Sequence, residues 1–105
     1  MKKWTVVLRR TDKWQLILTE EAPDPADVYV ASQVIAPEPM EAVRQAKKEV
    51  RFRDRADYRR TYTKEDRADP TLGLREPTKE DYVALAVFAG HHEPVLFGFQ
   101  AGGQG

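Results

Sequence analysis

One stretch, residues 28–53, constrains the fold most, because its apolar spacing changes at a pair of prolines. Residues 28–35 (VYVASQVI) are rich in β-branched and aromatic side chains, which predicts a strand. Pro37 and Pro39 end that strand, and Pro39 suits the first position of a helix, where its missing N–H costs nothing. Apolar residues then recur every three or four positions. This spacing predicts an amphipathic helix whose inward face is formed by Met40, Val43, Ala46 and Val50.

Four further apolar runs predict strands for this helix to cover. Residues 4–10 and 14–19 are expected to form a hairpin that closes at residues 11–13. Residues 82–89 (YVALAVFA) are apolar on both faces, which predicts a central, doubly covered strand, and residues 95–100 predict a last strand. We therefore predict an α+β fold with a mostly antiparallel sheet of four to five strands. Its order is β-β-β-α-β-β, and one amphipathic helix packs on one face.

The length of 105 residues predicts one domain. We expect it to span residues 1–100, with a long polar segment at 54–81, and we expect the glycine-rich tail 101–105 to be disordered. Within the polar segment, Thr63 and Thr78 each begin the tetrapeptide TKED, which resembles a capping box with Asp in place of Glu. The absence of cysteine excludes disulfides. Because no long apolar run or signal peptide is present, we expect a cytoplasmic protein without membrane contact.

Two segments carry a family resemblance. Residues 34–50 (VIAPEPMEAVRQAKKEV) and 81–93 (DYVALAVFAGHHE) resemble parts of small uncharacterised accessory proteins encoded by bacteriophages and some bacteria. Together they cover under a third of the chain. The resemblance implies an accessory role and assigns no catalytic residue.

The sequence offers little catalytic chemistry. Ser32 is the single serine and lies within a predicted strand, and no spacing of carboxylates singles out an acid/base pair. The best metal candidates are His91 and His92, followed by Glu93. Adjacent side chains seldom converge on one ion, and these are the chain's two histidines. We therefore predict no enzyme, no cofactor and no metal site.

Charge is balanced overall, with 17 basic and 17 acidic residues, but it is segregated along the chain. The favoured hypothesis is a non-enzymatic protein-interaction module, such as an accessory or inhibitor protein that binds a larger protein partner. We expect it also to self-associate, as a dimer, through the sheet face that the helix leaves uncovered. The predicted interface residues are Trp4, Tyr29 and Phe88.

An alternative function is nucleic-acid binding through the basic and aromatic segment 44–62. Arginines there would neutralise phosphates while aromatic rings stack on bases. A sequence pI near 6.7 argues against it, because nucleic-acid-binding domains are usually basic. The candidate residues are Arg51, Arg53, Arg55, Tyr58, Arg59 and Arg60.

Overall fold

A computed structural model describes residues 1–18 and 25–91. In this part of the chain, strands alternate with helices, and two turns of 3-10 helix, at Pro70–Leu72 and Lys79–Asp81, precede the last strand. The strands and α-helices are β1 (Lys2–Arg10), α1 (Asp12–Leu18), α2 (Pro25–Val28), β2 (Tyr29–Ala36), α3 (Pro39–Thr61), α4 (Lys64–Ala68) and β3 (Tyr82–Ala89).

The three strands of the described residues form one antiparallel sheet in the order β2-β1-β3. In the middle of the sheet, Val6 lies opposite Ser32 on one side and Val87 on the other. A bulge between Val7 and Leu8 shifts the register with β3. Side chains alternate across a strand, so each strand presents one set of residues to α3 and the other set to the opposite face.

Helix α3 covers one face of the sheet. It begins at Pro39, as predicted, and the Glu38 carboxylate caps it by accepting the N–H groups of Met40 and Glu41 at 3.1 and 2.8 Å. Small alanines at the start of the buried stripe let the helix approach β1 and β2 closely. The stripe repeats every four residues and consists of Ala42, Ala46, Val50, Asp54 and Tyr58.

The predicted inward face of α3 is correct except at its first residue. Ala46 and Val50 are fully buried, and Val43 packs against the core. Met40, by contrast, is 70% exposed, because it stands two residues before the buried Ala42 and a step of two residues turns a helix by about 200°. The core below the helix also contains Val6 and Leu8 of β1.

The predicted α+β class is confirmed, but the predicted four to five strands in the order β-β-β-α-β-β are wrong. The described residues form three strands with helices between them. The error lies at residues 14–18, the described part of the predicted second strand. Residues 12–18 form α1, and β1 pairs with β2 and β3 instead of with a hairpin partner. Trp14, Ile17 and Leu18 turn inward at helical spacing, while Leu16, which a strand would bury with Trp14, faces water.

The prediction that residues 82–89 are covered on both faces is also wrong. The strand itself is confirmed as β3, but β1 is the central strand and β3 lies at an edge of the described sheet. One side of β3 is covered through Tyr82 and Ala84, whereas Val83, Leu85 and Phe88 are exposed on the other. The predicted strand at 95–100 and the tail 101–105 lie outside the described residues.

The polar segment 54–81 is largely ordered into short elements. Its first third completes α3, and Thr63 then starts α4 as the sequence predicts. The Thr63 hydroxyl accepts the N–H of Asp66, and the Asp66 carboxylate accepts the N–H of Thr63. At the second TKED, the Asp81 carboxylate accepts the N–H of Thr78 at 2.7 Å.

Candidate functional site

The most elaborate polar site is a buried carboxylate with three partners, here called the Asp54 cluster (Arg10, Trp14, Asp54 and Tyr82). The Arg10 guanidinium donates two hydrogen bonds to Asp54, both 2.9 Å. The Trp14 indole N–H and the Tyr82 hydroxyl donate to the same carboxylate at 2.9 and 2.8 Å. The cluster therefore joins the end of β1, α1, the middle of α3 and the start of β3 at one point.

The chemistry of this cluster is structural. Burial, together with the negative charge of Asp54, raises the pKa of the Tyr82 phenol, so Tyr82 stays a hydrogen-bond donor. Asp54 is only 3% exposed and its oxygens already accept four hydrogen bonds, so a substrate could not reach it without breaking them. A satisfied buried ion pair of this kind positions elements rather than reacts.

A second ion pair lies beside the cluster. Arg75 donates to both oxygens of Asp81, at 2.7 and 2.6 Å, and its guanidinium lies 6.0 Å from the centre of the Trp14 ring. Burial alone would raise the pKa of Asp81. The hydrogen bonds from Arg75 and Thr78 outweigh burial, so the pKa of the Asp81 carboxyl is lowered from its ordinary 3.8.

This lowered pKa predicts a pH-dependent contribution to stability. Because the folded-state pKa of Asp81 lies below its unfolded value, its contribution is complete above the unfolded pKa and is lost as pH falls through the folded one. We expect Asp81→Asn to lower the free energy of unfolding by a constant amount above about pH 5, and by progressively less below about pH 4. Urea unfolding at a series of pH values measures this difference. A difference that does not change with pH would contradict the assignment.

Two surfaces are further candidates for binding, and the first is the open sheet face. It is the face of the sheet opposite α3, and its exposed large apolar side chains are Ile35, Val83, Leu85 and Phe88. Of the predicted interface residues, Phe88 is exposed on this face and Tyr29 is half-buried on it. Trp4 lies on the other face, packed against the core, and its indole N–H donates to the Ala36 carbonyl at 3.0 Å.

The second surface is a row of cations on α3, here called the α3 basic ridge. Steps of three or four residues place its members on one side of the helix. Its members are Arg44, Lys48, Arg51, Arg55 and Arg59. Phe52 adjoins the ridge and is 64% exposed, with the Arg55 guanidinium 5.6 Å from its ring centre.

The structure divides the six predicted nucleic-acid-binding residues among three places. Arg51, Arg55 and Arg59 lie on the ridge. Arg53 and Arg60 point to another side of α3, and Arg60 pairs there with Asp57. Tyr58 is buried in the core beside the Trp14 ring, at a centroid distance of 6.1 Å, so it cannot stack on a base.

The predicted metal candidates are only partly described. The His91 Nε2 atom lies 3.1 Å from the Val34 carbonyl oxygen, while His92 and Glu93 lie outside the described residues. Within residues 1–18 and 25–91, no group of three or more potential metal ligands is found. No helix in these ranges combines the length and apolar character needed to cross a membrane.

Comparisons with known proteins do not assign the chain to a family. No protein-family model, no curated protein and no solved structure matches it. The resemblance to bacteriophage and bacterial accessory proteins therefore stays a prediction.

Sequence reasoning missed the Asp54 cluster, although one signal was present. Asp54 stands four residues after Val50 and four before Tyr58, so a charged residue falls within the helical stripe that faces the core. A carboxylate at such a position requires buried donors. Phe52 belongs to the predicted basic and aromatic segment. It stands two residues after the buried Val50, so it lies on the opposite side of the helix and its ring is exposed.

Proposed function

We propose that the protein is a non-enzymatic protein-interaction module that binds through its open sheet face. The observation that carries this proposal is the group of four large apolar side chains on one surface, each between 45% and 52% exposed. Exposed apolar side chains grouped on one face of a sheet are costly to leave in water and are typical of protein-binding sites. An accessory role, as the sequence resemblance implies, requires only such a surface, and so does inhibition of a larger partner.

The charged side chains of the open sheet face do not prevent its burial in an interface. Arg9 points to the same face as Val83, and its guanidinium is already paired with Asp12 at 2.9 Å. Lys3 lies at the end of β1, where a long side chain can keep its ammonium group in water while its stem packs. When the apolar side chains are buried, Arg9 therefore keeps its partner and Lys3 keeps its contact with water.

A second copy of the chain is the partner that this surface fits most directly. Two identical faces can pair about a twofold axis, so that each apolar patch covers the other. The sheet is small, with three strands of eight or nine residues in the described part, so we expect a weak dimer rather than an obligate one. The same face would then remain available to a larger protein.

Sedimentation velocity over a range of concentrations tests this proposal. We expect the native 12.0 kDa chain to shift from monomer toward dimer as its concentration rises, and the double variant Leu85→Glu with Phe88→Glu to stay monomeric. Phe52→Glu, a change to an even more exposed ring on α3, is the control and should dimerise like the native chain. A native chain that is still monomeric at about 1 mM, or a double variant that dimerises normally, would refute the proposal.

A further inference from the structure

We infer that the α3 basic ridge binds single-stranded nucleic acid, as a second function separate from the open sheet face. The inference concerns the side of α3 that faces away from the core. It rests on the spacing of the cations, on the lack of an ion pair for three of the five within the described residues, and on the exposed ring beside them.

The ridge is long enough to follow several nucleotides. Arg44 and Arg59 are fifteen residues apart, which is about 22 Å along an α-helix. Successive cations are separated by about 4.5 to 6 Å of helical rise. A row of charges spaced in this way can meet successive phosphates of one extended strand, whereas a compact anion would contact one or two of them.

The middle of the ridge carries uncompensated positive charge. Its two ends are neutralised, since Arg44 pairs with Glu41 and Arg59 pairs with Glu76. Lys48, Arg51 and Arg55 form no ion pair with any residue in the described ranges.

The acidic residues that follow Glu41 on α3 lie elsewhere. The Glu49 carboxylate accepts a hydrogen bond from Ser32 of β2, Asp54 is buried, and Asp57 pairs with Arg60. The three central cations are therefore available to phosphates, although the whole chain has no net charge.

Phe52 favours nucleic acid over an acidic protein as the ligand. Its ring is exposed beside the unpaired cations, where a base can stack on it while Lys48 and Arg51 contact the adjoining phosphates. Arg55 already lies against this ring and can contribute to such stacking. Stacking of this kind requires unpaired bases, which favours a single strand over a duplex.

Fluorescence anisotropy with a labelled single-stranded DNA of mixed sequence tests the inference on the full chain. We expect measurable binding at low salt. The logarithm of the association constant should fall with the logarithm of the salt concentration with a slope of about −2, for three phosphates neutralised on a single strand. Arg51→Gln with Arg55→Gln should weaken binding about tenfold or more and reduce the slope toward −1. Phe52→Ala should weaken binding about tenfold with little change in slope.

Matched variants distinguish binding by the ridge from a general effect of the protein's net charge. Lys13→Gln with Lys79→Gln removes the same net charge from exposed positions outside α3 and the open sheet face, and should leave binding unchanged. Arg51→Lys with Arg55→Lys keeps the charge and should retain most of it, which also shows that the ridge tolerates substitution without unfolding.

Several results would overturn the inference. Absence of binding at about 20 mM salt would do so, and so would equal loss in the ridge and control variants. A duplex that binds as tightly as the single strand would refute the assignment of the strand state. Full competition by poly-glutamate at the same charge concentration would identify an acidic polypeptide as the ligand instead. None of these results bears on dimerisation, which the open sheet face governs.

Discussion

Replacing Asp54 with alanine is expected to lower the free energy of unfolding by about 3 to 5 kcal/mol, the usual range when one partner of a buried ion pair is removed. The variant leaves the Arg10 guanidinium, the Trp14 N–H and the Tyr82 hydroxyl without their acceptor in the interior. Each of these donors is then desolvated without compensation. Since small domains are stable by about 5 to 15 kcal/mol, this single change removes a large share of the total.

Urea unfolding followed by tryptophan fluorescence measures this effect, because Trp14 is itself a member of the cluster. Asp57→Ala is the matched control, three residues along the same helix. Its ion pair with Arg60 is at the surface, so we expect a loss of about 0 to 1 kcal/mol. Equal stability of the two alanine variants would show that the Asp54 cluster does not hold the elements together.

Replacing Val50 with aspartate is expected to abolish cooperative folding. Val50 is completely buried where α3 contacts the sheet. A carboxylate there is either charged without a partner or protonated without enough hydrogen bonds, and the loss of the apolar side chain adds to the cost. We expect a loss of about 4 kcal/mol or more, which leaves a small domain marginal at best.

Circular dichroism during thermal unfolding tests this prediction. Phe52→Asp is the control, since it exchanges an even larger apolar side chain for the same carboxylate two residues away. Phe52 faces water, so we expect the change in the free energy of unfolding to stay within about 0.5 kcal/mol. A cooperative transition of native amplitude in the Val50→Asp protein would mean that this side of α3 does not pack on the sheet.

The parts of the fold that could be predicted depend on local signals. The junction between β2 and α3 is encoded by Pro37, Pro39 and the change of apolar period, and the structure reproduces it to within a residue or two. The capping sequence at Thr63 is equally local. Segments of this kind can be predicted without knowing which distant residues they contact.

Helix α1 was predicted as a strand, because local sequence alone does not determine its conformation. Its residues favour strands by propensity, but contacts distant in sequence decide their conformation. Trp14 donates to Asp54, forty positions away, and the Tyr62 hydroxyl donates to the Ile17 carbonyl at 2.6 Å. These partners become visible only when α3 is placed across the sheet.

The surfaces were predicted in part for a similar reason. Residues 51, 53 and 55 alternate in sequence, but on a helix a step of two residues turns by about 200°, so Arg53 leaves the side that Arg51 and Arg55 share. The open sheet face was expected from the single covering helix. The strand register decides which residues lie on this face, and it places Phe88 on the open face and Trp4 on the covered one.

Helix α3 seals one face of the sheet, and we propose that a second chain covers the apolar side chains that are exposed on the other face. Hydroxyl-radical footprinting with mass spectrometry, at dilute and at concentrated protein, measures both faces in one experiment. We predict oxidation of Leu85 and Phe88 in dilute protein and their protection on concentration, while Trp14 and Tyr82 stay protected throughout. Protection of Leu85 and Phe88 that is the same at all concentrations, or oxidation of Trp14 and Tyr82 in the folded chain, would contradict the account.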